Sequence, residues 1–161
     1  MSIFFNPDEI LEMAEQIEKK GARFYLQAAE ATHDSDMRTL LEQLAAMEEV
    51  HEKIFAKMRA TLTKEEITFN ADPQISAYLN AWADGHAFDV KSDPVKRIKD
   101  QENIESILNI AIGLEKETIM FYLGLKHGVN KKNYQDRIDD VIKEEMGHVT
   151  SLSNKLISLK K

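Results

Sequence analysis

The chain has 161 residues and no cysteine. Without thiol groups it can form neither disulfide bonds nor thiolate-bound zinc or iron sites. Any metal ion that it binds must therefore be held by carboxylate and imidazole groups.

Long apolar runs and blocks of basic residues are also missing. No segment approaches the roughly 18 apolar residues of a membrane span, and the first residues, MSIFFNPDE, lack the regions of a signal peptide. We therefore expect a cytoplasmic protein that does not associate with membranes. The net charge of −7 argues against binding to nucleic acid, which requires basic patches.

What the sequence does contain is typical of a folded protein. Apolar residues make up 43% of the chain and charged residues 30%. The apolar residues are spaced periodically, which distinguishes the sequence from disordered chains of similar charge. Because the length is that of an ordinary domain, we expect a single domain over residues 1–161.

The two halves of the sequence are related by an internal repeat with an offset of 97 positions. Four polar pairs follow this offset: Glu18 with Glu115, Tyr25 with Tyr122, Glu48 with Glu145, and His51 with His148. Several apolar residues around them follow the same offset. Chance does not easily produce such a pattern, and two copies of one helix pair explain it.

The spacing of the apolar residues predicts helices along most of the chain. The three prolines, Pro7, Pro73 and Pro94, each follow an Asn or Asp, an order typical of helix starts. We predict one helix pair over about 7–61, a crossover with short helices over about 62–100, and a second pair over about 101–158. The predicted fold class is all-α, a four-helix bundle of two antiparallel pairs joined by the long crossover.

Each half places one isolated glutamate and one Glu-x-x-His within its apolar stripes. Residues three apart on a helix point the same way and can reach one metal ion. Four buried carboxylates would be strongly unfavourable without compensation, and two divalent cations would neutralise them. We therefore predict a two-metal site with these ligands: Glu18, Glu48, His51, Glu115, Glu145 and His148. Carboxylate oxygens with one imidazole per metal favour iron, and manganese and zinc are retained as alternatives.

The predicted cluster brings like charges close together. Replacing Glu48 or Glu145 by Gln should therefore lower metal occupancy and yet stabilise the metal-free protein. We expect this of both variants.

At these residues the sequence resembles the rubrerythrin branch of the ferritin-like di-iron proteins over nearly its whole length. The resemblance is carried by EKKGARFY at 18–25, EEVH at 48–51, EKETIMFY at 115–122 and EEMGH at 144–148. It implies a ferritin-like bundle with two iron ions per chain. The roles that it implies are terminal ligands for Glu18 and Glu115, metal-bridging ligands for Glu48 and Glu145, and one imidazole per metal from His51 and His148. Tyr25 and Tyr122 match tyrosines that the family places next to the ligands.

The resemblance also implies an activity. Such proteins reduce hydrogen peroxide, or oxidise ferrous iron with dioxygen or peroxide, and a homodimer is expected by the same resemblance. Rubrerythrins carry a rubredoxin domain with four iron-binding cysteines, and this sequence contains no cysteine. An external electron donor such as a rubredoxin-like protein is therefore expected. Thr118 stands where the family usually has an additional glutamate that exchanges with a histidine.

Two other functions are compatible with these patterns. The first is non-catalytic binding or storage of iron, manganese or zinc, which the missing rubredoxin domain and Thr118 favour. The second is a metal-free helical interaction module with an acidic surface. Tyr25 and Tyr122 could equally be core residues whose hydroxyl groups find a partner.

Several residues outside the repeat are predicted to take no part in the site. Glu49 and Glu144 adjoin ligand positions but should point away from the bundle axis. The remaining histidines, His33, His86 and His127, are expected on the surface or in loops. Trp82 should pack the crossover over the bundle or over a partner subunit.

Overall fold

The computed structural model describes residues 5–83, 94–98 and 103–161. All regular secondary structure in these ranges is helical. The helices are α1 (Pro7–Ala31), α2 (Ser35–Ala60), α3 (Lys64–Ile67), α4 (Pro73–Ala83), a short 3-10 helix (Pro94–Arg97), α5 (Ile104–His127) and α6 (Lys132–Leu159). The all-α prediction is confirmed.

The helix starts are determined by local side chains. Asn6 accepts a hydrogen bond of 2.9 Å from the backbone N–H of Glu9, and the Glu9 carboxylate accepts one of 3.0 Å from the backbone N–H of Asn6. This reciprocal pair satisfies two amide groups that the first turn of α1 leaves free. Asn103 caps α5 in a similar way, since its side chain accepts a 2.7 Å hydrogen bond from the backbone N–H of Ser106. Residues 101 and 102, where the sequence predicts the start of this helix, lie outside the described ranges.

The four long helices form two closely packed pairs. The most extensive contacts between helices are those of α1 with α2 and of α5 with α6. Residues 32–34 turn the chain back between α1 and α2, and residues 128–131 do the same between α5 and α6. Contacts between the pairs are fewer and run from α1 to α5 and from α2 to α6. The interior between the pairs is therefore the place where side chains of all four helices can meet.

Helix α4 of the crossover packs on α5. The Trp82 side chain is 1% exposed and meets the Phe121 ring edge to face, with ring centroids 5.8 Å apart. The Tyr78 hydroxyl donates a 2.5 Å hydrogen bond to the carbonyl oxygen of Met120. Of the two surfaces predicted for Trp82, the bundle of its own chain is the one observed. His86, in the same part of the crossover, lies outside the described residues.

No helix in the described part of the chain is both long enough and apolar enough to cross a membrane.

Two glycines of α5 should respond in opposite ways to replacement by alanine. A Cβ at Gly124 would lie 2.6 Å from two atoms of the Tyr78 ring, whereas a Cβ at Gly113 would meet nothing within 4 Å. We expect Gly124→Ala to lower the free energy of unfolding by about 1–3 kcal/mol through overpacking. Gly113→Ala should raise it by about 0.5–1 kcal/mol, because alanine loses less backbone entropy in a helix. Urea unfolding followed by circular dichroism measures both, and equal stabilisation by the two variants would contradict the packing of Tyr78 on α5.

Candidate metal centre

The structure brings the six predicted ligands together between the helix pairs. Each long helix contributes: α1 carries Glu18, α2 carries Glu48 and His51, α5 carries Glu115, and α6 carries Glu145 and His148. All six side chains are buried, with exposures between 0% and 7%. The apolar stripes of four helices therefore converge on a polar centre.

The six residues form two overlapping groups of four. In each group, ligand atoms of all four residues lie within 4.8 Å of one another. The first group consists of Glu18, Glu48, His51 and Glu145, and the second of Glu48, Glu115, Glu145 and His148. Glu48 and Glu145 occur in both groups, as their predicted bridging role requires, and each of the other four residues occurs in one group.

Buried polar atoms without partners identify the interior of the cluster. Four of its atoms make no hydrogen bond: Oε2 of Glu18, Oε1 of Glu48, Oε2 of Glu145 and Nδ1 of His148. Oε2 of Glu145 lies only 2.8 Å from Nδ1 of His148, yet the two are not aligned for a hydrogen bond. Buried polar atoms of folded proteins are normally paired. Here three carboxylate oxygens and one imidazole nitrogen lack hydrogen-bond partners in the same place. Such atoms are suitable ligands for a divalent cation such as iron or manganese.

Both imidazole rings turn the same nitrogen toward the cluster. Nδ1 of His51 lies 3.0 Å from Oε1 of Glu145 and 3.6 Å from Oε2 of Glu18. Nδ1 of His148 lies 3.2 Å from Glu48 and 3.4 Å from Glu115. The rings are nearly parallel, with an interplanar angle of 23° and centroids 5.7 Å apart. Each ring can therefore present Nδ1 to its own metal position.

The two repeated tyrosines connect the halves of the bundle. The Tyr25 hydroxyl donates to Oε1 of Glu115, and the Tyr122 hydroxyl donates to Oε1 of Glu18. Each tyrosine thus orients a carboxylate of the other half, one that the sequence predicts as a terminal ligand. Burial and the adjacent carboxylates raise the pKa of both tyrosines well above the usual value, so that they remain donors at neutral pH. The sequence left a purely structural role equally open, and the structure places both hydroxyls on predicted ligands.

Three of the four carboxylates are difficult to ionise without metal. Burial, followed by the repulsion of neighbouring carboxylates, raises the pKa values of Glu18, Glu48 and Glu115 well above the usual range. The metal-free cluster is therefore expected to hold protons where cations would otherwise sit. Binding of cations must displace these protons.

Glu145 is the exception among the carboxylates. Burial by itself would raise its pKa, but the close contact with Nδ1 of His148 and the hydrogen bond with His51 outweigh burial and hold the pKa below the usual range. For His148 burial lowers the pKa, yet the contacts with Glu115, Glu145 and Glu48 raise it to about 12. The metal-free centre therefore contains an ionised Glu145 between two histidines that tend to carry the opposite charge.

A glycine of α1 makes room for one bridging carboxylate. A Cβ at Gly21 would lie 3.1 Å from Oε2 of Glu48, closer than ordinary van der Waals contact. At the equivalent position of the repeat stands Thr118, whose buried hydroxyl donates a 2.9 Å hydrogen bond to the carbonyl oxygen of Leu114. The two sides of the site are consequently not identical.

The orientation predicted for Glu144 from the sequence was wrong. Its carboxylate does not point away from the centre, because Oε2 lies 2.6 Å from Nε2 of His51. Glu144 is on α6 and His51 on α2, so the contact crosses between the helix pairs. A position adjacent to Glu145 does not reveal in sequence which helix its side chain will meet, and the contact could be found only from the packing of α6 beside α2. Glu49, by contrast, is exposed as predicted.

The histidines outside the cluster agree with the sequence analysis where they can be described. His33 and His127 are exposed. His86 is not among the described residues.

Comparison with known proteins identifies the family. Residues 9–156 match the Rubrerythrin family model. The chain belongs to the rubrerythrin family. A crystal structure of a protein from Thermotoga maritima, described as ferritin-like and diiron-carboxylate, shares the fold, with a TM-score of 0.74 and 22% sequence identity over 97% of each chain. Comparison with curated proteins gives no significant match. The predicted likeness to rubrerythrins and the predicted ferritin-like helical bundle are thereby confirmed. The ligand roles of the six individual residues stay predictions.

The two bridging glutamates should differ in their effect on the metal-free protein. Glu48 has a raised pKa in the folded state, so wild type loses stability as pH rises from the unfolded-state pKa toward the folded-state value. Glu48→Gln removes this loss and should stabilise the metal-free protein at pH 7 by about 1.4 kcal/mol for each pKa unit of the shift. The gain should vanish below about pH 4, where the carboxyl group is protonated in both states.

Glu145→Gln should do the opposite, contrary to the expectation from sequence. The folded-state pKa of Glu145 is lowered, so its contribution to stability is present above the unfolded-state pKa and is lost as pH falls through the folded-state value. Loss of its charged hydrogen bond with His51 and of its close contact with His148 should destabilise the metal-free protein at pH 7 by about 1–3 kcal/mol. Chelator-treated protein is unfolded with urea from about pH 3 to pH 8, with the exposed Glu49→Gln as control. Stabilisation by both variants at pH 7 would contradict the assigned charge distribution.

Proposed function

We propose that the chain is a non-haem di-iron oxidoreductase that reduces hydrogen peroxide or oxidises ferrous iron with dioxygen or peroxide. The observation that carries this proposal is the sharing of Glu48 and Glu145 between the two ligand groups. Carboxylates that belong to both groups would hold two metal ions next to each other. Two separate metal sites would need no shared ligands. Membership of the rubrerythrin family supports the choice of iron.

The balance of charge in the cluster fits this proposal. Four buried carboxylates carry the charge that two divalent cations neutralise, and the two imidazoles complete one position each. When bound, a pair of ferrous ions supplies two electrons, which with two protons reduce one hydrogen peroxide molecule to two water molecules. Iron is the proposed metal, two ions per chain, with manganese or zinc as the alternatives.

The protein side chains hold and enclose this centre. The hydroxyl groups of Tyr25 and Tyr122 orient the carboxylates of Glu115 and Glu18. Oε2 of Glu18 makes no hydrogen bond and stays available to a cation bound beside Glu18 and His51. Phe55 packs against the Tyr122 ring, with centroids 5.0 Å apart, and is completely buried. Apolar walls of this kind exclude bulk water and strengthen the interaction of the carboxylates with a bound cation.

Electrons for repeated turnover are proposed to come from an external donor such as a rubredoxin-like protein, because none of the 161 residues is a cysteine that could hold a rubredoxin-type iron. Peroxide removal with such a donor would serve defence against oxidative stress, and we propose this role for the protein.

Iron binding and oxidation test the proposal directly. Anaerobic loading of wild type with ferrous iron should give two irons per chain, and addition of hydrogen peroxide should produce ferric absorption rapidly. Glu145→Ala removes a carboxylate from both ligand groups and should lower the iron content and slow the oxidation by about 10–100-fold. Glu49→Ala, which removes an exposed carboxylate next to Glu48, should match wild type. Equal oxidation rates in wild type and Glu145→Ala would refute the proposed centre.

A second candidate function is metal binding or storage without turnover. Thr118 favours it, because a hydroxyl bonded to its own helix stands where the family usually supplies an additional carboxylate. In this case wild type would bind iron tightly but oxidise it no faster with peroxide than free ferrous iron is oxidised. Retention of many irons per chain after gel filtration would support storage, and retention of two would argue against it.

A further inference from the structure

His51 and His148 differ in what their outer ring nitrogens contact. Nε2 of His51 lies 2.6 Å from Oε2 of Glu144. For His148, every carboxylate contact among the described residues is made through Nδ1. Within the described ranges, His51 therefore has a carboxylate partner at both ring nitrogens and His148 has carboxylate partners at Nδ1 alone.

The difference arises from a break in the internal repeat. Glu144 stands at the position that corresponds to Met47 in the first half, 97 residues earlier. Methionine sulfur is at best a weak hydrogen-bond acceptor. The two halves therefore supply the same ligands but not the same support for them.

Burial makes the contact effective. The His51 side chain is 0% exposed, whereas the Glu144 side chain is 41% exposed. The outer nitrogen of a buried ring on α2 is thereby held by a partly exposed carboxyl group on α6. With a metal ion bound, this bond would hold the proton on Nε2 and leave the lone pair of Nδ1 directed into the cluster, where Glu18 and Glu145 lie.

A carboxylate that accepts a hydrogen bond from the outer nitrogen of a metal-binding imidazole strengthens the bond between the metal and the other ring nitrogen. It orients the ring, increases the basicity of the ligating nitrogen and raises metal affinity, and its removal typically costs about 10–100-fold in affinity. The position that includes Glu18 and His51 receives this support from Glu144, and no carboxylate of the described residues gives it to the position that includes Glu115 and His148.

We propose that Glu144 is a positioning residue that makes the two metal positions unequal, with the tighter one at Glu18 and His51. This inference rests on the proposed two-metal function. The centre would then fill in a fixed order, and a chain at limiting metal would hold one ion at Glu18 and His51 before the second enters at Glu115 and His148.

Variants that keep only one of the two proposed metal positions can separate this role of Glu144 from a general effect on the fold. His148→Ala leaves the Glu18 and His51 position, and His51→Ala leaves the Glu115 and His148 position. In each background the dissociation constant for Co²⁺ is measured by visible absorption in competition with a chelator. Glu144→Met, which introduces the residue found at the equivalent position of the repeat, should raise this constant about 10–100-fold in the His148→Ala background and leave it unchanged in the His51→Ala background.

Two further variants serve as controls. Glu144→Gln keeps an oxygen that accepts from Nε2 and should restore most of the affinity lost in Glu144→Met. Glu49→Met makes the matched replacement beside the other bridging glutamate, on an exposed side chain, and should change neither background.

A spectroscopic measurement on the otherwise unchanged chain covers the case in which the histidine variants fail to fold. In Zn²⁺-loaded protein labelled with ¹⁵N-histidine, one Nε2–H signal should be shifted downfield and exchange slowly with water, as expected for a proton held between a buried ring and a carboxylate. Glu144→Met should abolish this signal and Glu49→Met should not.

The outcomes distinguish the two proposals. Equal weakening of Co²⁺ binding in both backgrounds, or persistence of the protected signal in Glu144→Met, would overturn the positioning role and leave the two-metal function standing. Absence of any metal binding by wild type would overturn both.

Discussion

The structure depends on the burial of four carboxylates at the junction of two apolar helix pairs. Such a cluster is stable only if its charge is compensated, since each uncompensated buried charge costs roughly several kcal/mol even after the surrounding protein relaxes. The protein uses two kinds of compensation. Protons and two histidines balance the metal-free cluster, as the raised pKa values of Glu18, Glu48 and Glu115 indicate. The buried carboxylate oxygens without a hydrogen bond lie inside this cluster, where the predicted cations would replace the protons.

The same cluster connects the two halves of the molecule. Direct packing is more extensive within the helix pairs than between them, and many polar contacts cross the junction. They include Tyr25 with Glu115, Tyr122 with Glu18, His148 with Glu48, and His51 with both Glu144 and Glu145. The candidate metal centre is therefore also a structural link, so a change of its charge alters both ligand binding and the cohesion of the bundle.

The internal repeat explains the near symmetry of the centre, and the breaks in the repeat explain its inequalities. Gly21 permits close approach of Glu48, while its counterpart Thr118 bonds to its own helix. Glu144 supports His51, while its counterpart is Met47. A duplicated site can thus keep its ligands and still give its two positions different properties through the residues behind them.

The fold class and the six converging residues could be predicted from the sequence because they depend on periodicity. Apolar spacing defines helix faces, and Glu18, Glu48 and His51 lie within those faces. Their counterparts in the second half of the chain do the same. A pattern along one helix contains no information about the distance or angle to the next helix. The contact of Glu144 with His51 and the crossed pairing of each tyrosine with the opposite half arise only where helices meet. The lowered pKa of Glu145 also depends on packing between helices, because it results from contacts with two histidines, one of which lies on another helix. Sequence alone determined which residues enter the core, and tertiary structure decided which atoms face one another, because hydrogen bonding and charge depend on distances that only packing defines.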